Sequence, residues 1–195
     1  MAIAAIIFDF DGVLADTERL HLAATQDALA TLGLEMSEAE YFKTYLGYSD
    51  RDLFRRFAHD AKRDLTDDDI DDLIEAKGGA YERALTTGAV LYDGAERAIF
   101  ALKFEFTLAI ASGAFRSEIE SILAARPGLR DSFAAIVSAD DHVAGKPSPE
   151  PYLEALRQLE IDADQAIAVE DSPWGLDAAR GAGLRTIAVT TSYDA

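Results

Sequence analysis

Short runs of apolar residues recur along the chain, and each run stops abruptly at polar or turn-forming residues. The runs cover residues 2–8, 106–111, 134–137, 166–169 and 185–189. Four to eight consecutive apolar residues bounded by turn signals are typical of strands that are buried on both faces. The pattern therefore predicts five buried strands, one at the start of the chain and four in its second half.

Segments with helical spacing of apolar residues lie between the later strands. They cover residues 94–103, 116–125, 149–160 and 173–182. Strands that alternate with helices of this length favour a parallel sheet, because a crossover helix returns the chain to the same edge. We therefore predict an α/β, Rossmann-like core: a parallel sheet with helices on both faces.

The stretch between the first two predicted strands has a different pattern. It contains no buried-strand run, and its apolar residues recur at helical spacing. Ser37, Ser49 and Thr66 are each followed by acidic residues, which is typical of helix starts. We predict an inserted all-helical cap over residues 16–87, with residues 1–15 and 88–195 forming the α/β core.

Composition narrows the classes of function. The 195 residues include 18 Lys and Arg against 36 Asp and Glu, a net charge of −18, and no Cys. An excess of acidic residues disfavours binding to nucleic acid or to an anionic membrane, since both need positive charge. The absence of Cys excludes disulfides and a thiolate nucleophile. With no signal peptide or membrane-spanning run at its start, we expect a cytoplasmic globular protein.

Polar side chains gather where the predicted strands end. Asp9 and Asp11 follow the first strand, and Glu170 and Asp171 follow the fourth. The carboxyl ends of parallel strands meet at one edge of the sheet, where α/β proteins bind their ligands. Clustered carboxylates repel one another unless a cation binds between them or their pKa values rise. Carboxylate oxygens are suitable ligands for a hard ion such as Mg²⁺. One of the first two acids could instead only cap a turn.

Three further residues suit a phosphoryl group. Ser112 and Gly113 follow the second strand with a hydroxyl and an accessible backbone amide, and Lys146 precedes the helix predicted over 149–160. Hydroxyl, amide and ammonium groups are donors that bind phosphate oxygens. The strand ends thus predict one edge that binds both a metal ion and a phosphoryl group.

In order along the chain, these motifs resemble those of the haloacid dehalogenase-like superfamily of phosphotransferases. Asp9-Phe10-Asp11-Gly12-Val13 resembles its first motif, Ser112 its second, Lys146 its third and Glu170-Asp171 its fourth. The resemblance runs from residue 3 to about residue 192. A helical insert after the first motif is similar to one cap type of the superfamily, near β-phosphoglucomutase and phosphoglycolate phosphatase relatives.

The resemblance implies a role for each motif residue. Asp9 would be the nucleophile that forms an aspartyl phosphate, and Asp11 the general acid and base. Mg²⁺ would be held by Asp9, the backbone carbonyl of Asp11, Asp171 and Glu170, the last directly or through a ligand. Ser112, Gly113 and Lys146 would bind the phosphate oxygens. Dehalogenase members lack an acid at position 11, so its presence points to phosphate esters.

The cap residues are expected to set the substrate. His21 could face the site, Gly47 would permit a tight turn in a loop similar to the family's cap loop, and Arg51 and Lys77 could meet a second anionic group. Packing or surface roles fit His21, Arg51 and Lys77 equally well. Asp50 stands where β-phosphoglucomutase relatives have Arg, which argues against a mutase.

Three functions therefore stay open, and a phosphatase is the leading one. It would be a Mg²⁺-dependent enzyme acting on a small phosphorylated metabolite, such as a sugar phosphate or short organic phosphate. The alternatives are a β-phosphoglucomutase-like phosphomutase and a non-catalytic binding protein of the same fold. Because the last predicted strand lies close to Ala195, an uncovered sheet edge could pair, so we expect a monomer or a weak homodimer.

Overall fold

Five strands form one parallel sheet. A computed structural model of the chain describes residues 2–46, 48–88, 91–141 and 144–192. The strands are β1 (Ala5–Phe8), β2 (Thr107–Ala111), β3 (Ala135–Val137), β4 (Ala166–Glu170) and β5 (Arg185–Ala188). Their order across the sheet is β3-β2-β1-β4-β5, and every neighbouring pair is parallel. The expected α/β sheet is confirmed.

The first strand is the centre of this sheet. Ile7 pairs in register with Ala109 of β2 on one side and with Ala168 of β4 on the other. All three side chains are fully buried. Because β1, β2 and β4 are parallel neighbours, the residues that follow them emerge at the same edge of the sheet.

Four helices of eight to ten residues accompany the sheet, close to where the sequence predicts them. They are α5 (Ala95–Leu102), α6 (Arg116–Ala124), α7 (Glu150–Leu159) and α8 (Pro173–Gly181). Tyr152 and Ala155 of α7 and Ala178 of α8 join the β-strand side chains in one core. Small side chains dominate this core, which lets helices and sheet approach closely.

The last strand departs from the prediction of a strand buried on both faces. β5 lies at the edge of the sheet, and half of the Ile187 side chain is exposed. An apolar run alone does not distinguish an edge strand from a central one, because burial depends on which neighbours cover it.

The described residues between Glu18 and Gly88 form helices that are joined by loops. The helices are α1 (Glu18–Ala30), α2 (Glu38–Glu40), α3 (Asp50–Asp60) and α4 (Asp67–Gly88), with a π-helical turn at Tyr41–Tyr45. The three predicted starts are confirmed: Ser37 caps α2, Ser49 caps α3, and the Thr66 hydroxyl accepts a hydrogen bond from the Asp69 amide. Side-chain caps satisfy amides that a helix start leaves unpaired.

Internal contacts divide the chain into two compact units. One comprises Met1–Thr17 and Ala89–Ala195 and contains the sheet, and the other is the helical unit Glu18–Gly88. The helical unit packs mainly through its longest elements, α1 against α4. No helix in the described part of the chain is both long enough and apolar enough to cross a membrane.

Removing buried volume from β1 tests the central position of this strand. Ile7→Ala should lower the free energy of unfolding by about 2–5 kcal/mol, because it leaves a cavity in the core that β1 shares with α7 and α8. Ile187→Ala makes the same truncation on a half-exposed side chain of β5 and should cost less than about 1 kcal/mol. Urea denaturation of both variants measures the difference, and equal losses would contradict this account of the core.

Candidate active site

Four charged side chains meet at the carboxyl edge of β1 and β4. Asp9 directly follows β1, Glu170 ends β4, Asp171 follows it, and Lys146 lies in the loop before α7. The three acids are buried, and each can place a carboxylate oxygen within 4.8 Å of the other two. The sheet therefore brings together residues from three distant parts of the sequence.

Lys146 bridges two of these carboxylates. Its Nζ lies 2.7 Å from Oδ1 of Asp9 and 2.5 Å from Oε1 of Glu170. Only 12% of the lysine side chain is exposed. Burial has the largest single effect and opposes the ammonium charge, but the attraction of Asp9 together with that of Tyr152 and Glu170 outweighs it. The pKa of Lys146 is therefore raised well above its ordinary value. Lys146 thus remains charged and offsets part of the carboxylate charge.

The remaining negative charge is not balanced by this single lysine. Burial, followed by the neighbouring charge of Glu170, raises the pKa of Asp9 well above its ordinary value. The same two causes raise the pKa of Asp171 to about 6. Buried carboxylates with raised pKa values are stabilised in their ionised form when a cation joins them. This all-oxygen donor set fits a hard divalent cation such as Mg²⁺, which Asp9, Glu170 and Asp171 would hold.

Glu170 is held from several sides. Its Oε1 accepts hydrogen bonds from Lys146 and, at 2.8 Å, from the Tyr152 hydroxyl. Its Oε2 accepts bonds from the backbone amides of Asp171 and Ser172 and from the Ser172 hydroxyl, at 3.1–3.2 Å. Burial raises the pKa of Tyr152 well above its ordinary value, so its phenol stays protonated and donates.

Two glycines make room for the acids. Gly12 has a left-handed φ of 77°, and a Cβ there would overlap the Asp171 carboxyl group. At Gly175, in the first turn of α8, a Cβ would overlap the carboxyl group of Glu170. Both positions require glycine because the backbone passes directly against a buried carboxylate.

The other expected core residues lie beside this cluster in the fold. Asp11 accepts a hydrogen bond of 2.5 Å from the Thr17 hydroxyl, which holds the carboxyl group on the turn after β1. Ser112 is fully buried directly after β2, and its Oγ accepts a bond from the Ala114 amide at 3.0 Å. Gly113 is exposed between them. β2 is the neighbour of β1, so Ser112 and Gly113 leave the sheet at the edge that carries Asp9.

Comparison with known proteins agrees with this geometry. The model of a family described as haloacid dehalogenase-like hydrolase matches residues 6–189. The chain is 35% identical to protein CbbY of Cereibacter sphaeroides, over 95% of this chain and 83% of that protein. It is 29% identical to a phosphoglycolate phosphatase of Mesorhizobium japonicum, over 96% of this chain and 83% of the relative.

A solved structure is similar across the same span. It is a crystal structure of CbbY from Rhodobacter sphaeroides in complex with xylulose-(1,5)bisphosphate, with 33% sequence identity and a TM-score of 0.82. The match covers 95% of this chain and 85% of that one. This chain belongs to the haloacid dehalogenase-like hydrolase family. The enzyme class expected from the motifs, a phosphatase of that family, is confirmed.

Within this hydrolase, the expected cap residues His21, Arg51 and Lys77 fall in the helical unit, whereas Gly47 lies outside the described residues. Lys77 is buried and forms an ion pair with Asp50, and Arg51 forms one with Asp71. Both cations proposed for a second anionic group are thus already paired within their own unit. Asp50, which replaces the expected Arg, is itself one of the partners.

His21 lies beside this buried lysine. Its ring stacks on Tyr81 with the centroids 4.3 Å apart. Burial, followed by the positive charge of Lys77, lowers the pKa of His21 to about 3. The imidazole is therefore neutral near pH 7, where it can still donate or accept a hydrogen bond.

Two residues in the site have contacts that sequence analysis did not assign. Tyr152 was not singled out, although a tyrosine on the apolar face of a helix needs a partner for its hydroxyl, and that is a usable signal. Thr17 lies next to the predicted start of the cap, and sequence analysis assigned it no role. No periodicity connects it to Asp11, so its hydrogen bond was not predictable from spacing.

Substituting Gly175 tests the close packing of α8 against Glu170. Gly175→Ala should displace the Glu170 carboxylate and lower the free energy of unfolding by about 1–3 kcal/mol, because a methyl group has no space there. Gly78→Ala adds the same methyl group to α4 at a position with nothing within 4 Å. It should be neutral or stabilising by up to about 1 kcal/mol. Chemical denaturation of both variants decides, and a neutral Gly175→Ala would contradict the overlap.

The neutral state of His21 gives a prediction about pH. The folded-state pKa lies below the ordinary value of 6.5, so the unfolded chain takes up a proton that the folded chain does not. Stability from this group is present above pH 6.5 and is lost as the pH falls towards 3. Between pH 7.5 and 5 the free energy of unfolding should fall by about 2 kcal/mol more in the wild type than in His21→Gln. Parallel pH profiles for the two proteins would contradict this prediction.

Proposed function

We propose that this hydrolase is a Mg²⁺-dependent phosphatase that cleaves small phosphorylated metabolites through an aspartyl phosphate on Asp9. The observation that carries the proposal is the buried group of Asp9, Glu170, Asp171 and Lys146 at the carboxyl end of the central strand. The proposal assigns the roles of nucleophile, oxygen ligands and phosphate-binding ammonium to this one group of side chains.

Each side chain has a task in the proposed reaction. A carboxylate oxygen of Asp9 forms a bond to phosphorus while the bond from phosphorus to the leaving oxygen breaks. Asp11 gives that leaving oxygen a proton. A water molecule then attacks phosphorus and passes a proton to Asp11, and inorganic phosphate leaves as Asp9 is restored. The hydroxyl of Thr17 orients the Asp11 carboxyl group for both transfers.

The charges of the site support the cation requirement. Asp9 must be ionised to attack, yet its burial and its acidic neighbours favour protonation. When bound, Mg²⁺ would stabilise the ionised carboxylate and the negative charge on the phosphate oxygens. Asp9, Asp171, Glu170 and the backbone carbonyl of Asp11 are its proposed ligands. Ser112, the amide of Gly113 and Lys146 are the proposed donors to the phosphate oxygens.

We further propose a phosphorylated sugar or a short organic phosphate as the substrate class. The solved relative bound to xylulose-(1,5)bisphosphate supports this class, and so does the phosphoglycolate phosphatase relative. The helical unit is the proposed substrate-selecting cap, formed by the chain around residues 16–87, with His21, Gly47, Arg51 and Lys77 as candidate contacts. Asp50 pairs with Lys77 and Asp71 pairs with Arg51, so neither cation is unpaired. A mutase must bind a second phosphate, so these ion pairs favour hydrolysis over a mutase reaction.

Phosphate release from a panel of esters tests the proposal. The panel contains β-glucose 1-phosphate, phosphoglycolate, hexose and pentose phosphates, a ketose bisphosphate and an aryl phosphate, each with Mg²⁺ or with EDTA. We expect release only with Mg²⁺, and a fall of at least about 1,000-fold in Asp9→Asn, which lacks the nucleophile. Asp11→Asn should lose about 100- to 10,000-fold, because proton transfer is removed.

The control for these variants is Asp177→Asn, a change of the same kind on an exposed residue of α8. It should retain full activity. Metal-independent release, or an active Asp9→Asn, would contradict the proposed chemistry. Conversion of β-glucose 1-phosphate to glucose 6-phosphate without phosphate release would assign a mutase instead.

A further inference from the structure

Tyr152 is a buried polar side chain that the proposed reaction does not use. It lies in the first turn of α7 and is fully shielded from solvent. Its hydroxyl donates to Oε1 of Glu170 at 2.8 Å, and its ring centroid lies 5.1 Å from Nζ of Lys146. The side chain therefore contacts both an acidic and a basic member of the site.

The two oxygens of Glu170 are held in different ways. Oε2 is bound by donors of the adjacent turn, the amides of Asp171 and Ser172 and the Ser172 hydroxyl. Oε1 is bound by two side chains that come from the α7 region, Lys146 and Tyr152. Loss of the phenol would leave Oε1 to Lys146, whose ammonium also binds Asp9.

We propose that Tyr152 is a positioning residue that fixes the Glu170 carboxylate and keeps the Lys146 ammonium between Glu170 and Asp9. The phenol shares Oε1 with the lysine, so Glu170 does not depend on the ammonium alone. The ring face lies against the ammonium, where a cation is attracted to the aromatic quadrupole and water is excluded. Tyr152 acts through these two residues and touches no reacting atom.

This inference rests on the proposed function and deepens it. Groups that orient a metal ligand are worth about 10- to 100-fold in metal affinity or activity when they are removed. Without the hydroxyl, the Glu170 carboxylate loses one of its fixed donors and Lys146 is drawn more strongly to Oε1. We expect weaker Mg²⁺ binding and slower turnover, with substrate binding changed less than turnover.

Tyr152→Phe tests this, because it removes the hydroxyl and keeps the ring that packs in the core. Mg²⁺ binding to the protein without substrate is measured by titration calorimetry, and kcat and KM are measured at saturating Mg²⁺. We expect the Mg²⁺ dissociation constant to rise about 10-fold and kcat to fall about 10-fold, with KM within about twofold of the wild type.

Tyr45→Phe is the matched control. Tyr45 is also buried, and its hydroxyl also donates to a carboxylate, Oδ2 of Asp60, but in the helical unit. A merely structural role of a buried phenol would shift the thermal midpoint of both variants and leave Mg²⁺ binding unchanged. Circular dichroism melts of both variants establish that each is folded.

A double-mutant cycle tests whether Tyr152 acts through Glu170. In the Glu170→Gln background, Tyr152→Phe should change the Mg²⁺ dissociation constant by less than about twofold, because the residue it positions has been altered. A full tenfold loss in that background would overturn the inference. A Tyr152→Phe single variant with wild-type Mg²⁺ binding and wild-type kcat would also overturn it. In that case, Mg²⁺-dependent phosphate release by the wild type would still support the proposed function. A wild type that binds no Mg²⁺ would overturn both.

Discussion

The structure of the site depends on the burial of three carboxylates next to one lysine. Taking Asp9 and Asp171 out of water disfavours their ionised forms, and repulsion from the charge of Glu170 adds to that cost. The ammonium of Lys146 reduces the repulsion by binding Asp9 and Glu170 together. The excess negative charge that remains is what the proposed Mg²⁺ would neutralise, and the ammonium is a proposed donor to the phosphate.

The parallel sheet is what makes this arrangement possible. β1 lies between β2 and β4, so residues separated by more than 160 positions in sequence emerge at adjacent strand ends. The backbone then has to pass close to the acids, which only glycine permits at positions 12 and 175. Close packing and clustered charge are therefore linked at Glu170, because the backbone and side chains that pack around its carboxylate also donate hydrogen bonds to it.

In the helical unit, Lys77 and Arg51 are each paired with one acid, unlike the carboxylates that share Lys146. Its most buried cation, Lys77, is neutralised by Asp50, and Arg51 is paired with Asp71. His21 is neutral near pH 7, because burial and the positive charge of Lys77 lower its pKa. This unit thus contains paired charges and a neutral imidazole, and in its proposed role as a cap it would offer hydrogen bonds rather than an unpaired cation.

The sequence by itself determined the elements and which polar residues follow the strands. Apolar runs and helical spacing located five strands and four core helices to within a few residues, because burial on both faces of a parallel strand leaves a continuous apolar run. Ser37, Ser49 and Thr66 marked helix starts, because capping is local. Family membership followed from motifs at Asp9, Ser112, Lys146 and Glu170, whose order along the chain is itself a sequence property.

Only the tertiary structure decided which side chains are partners. Nothing in the spacing connects Tyr152 to Glu170, Thr17 to Asp11 or Lys77 to Asp50, because each pair is made by packing between elements rather than by a local repeat. The exposure of Ile187 could not be predicted either, because an apolar run is the same in a central strand and in an edge strand such as β5. Periodicity specifies which face of an element is apolar, whereas partners and exposure depend on what the rest of the chain places against that face.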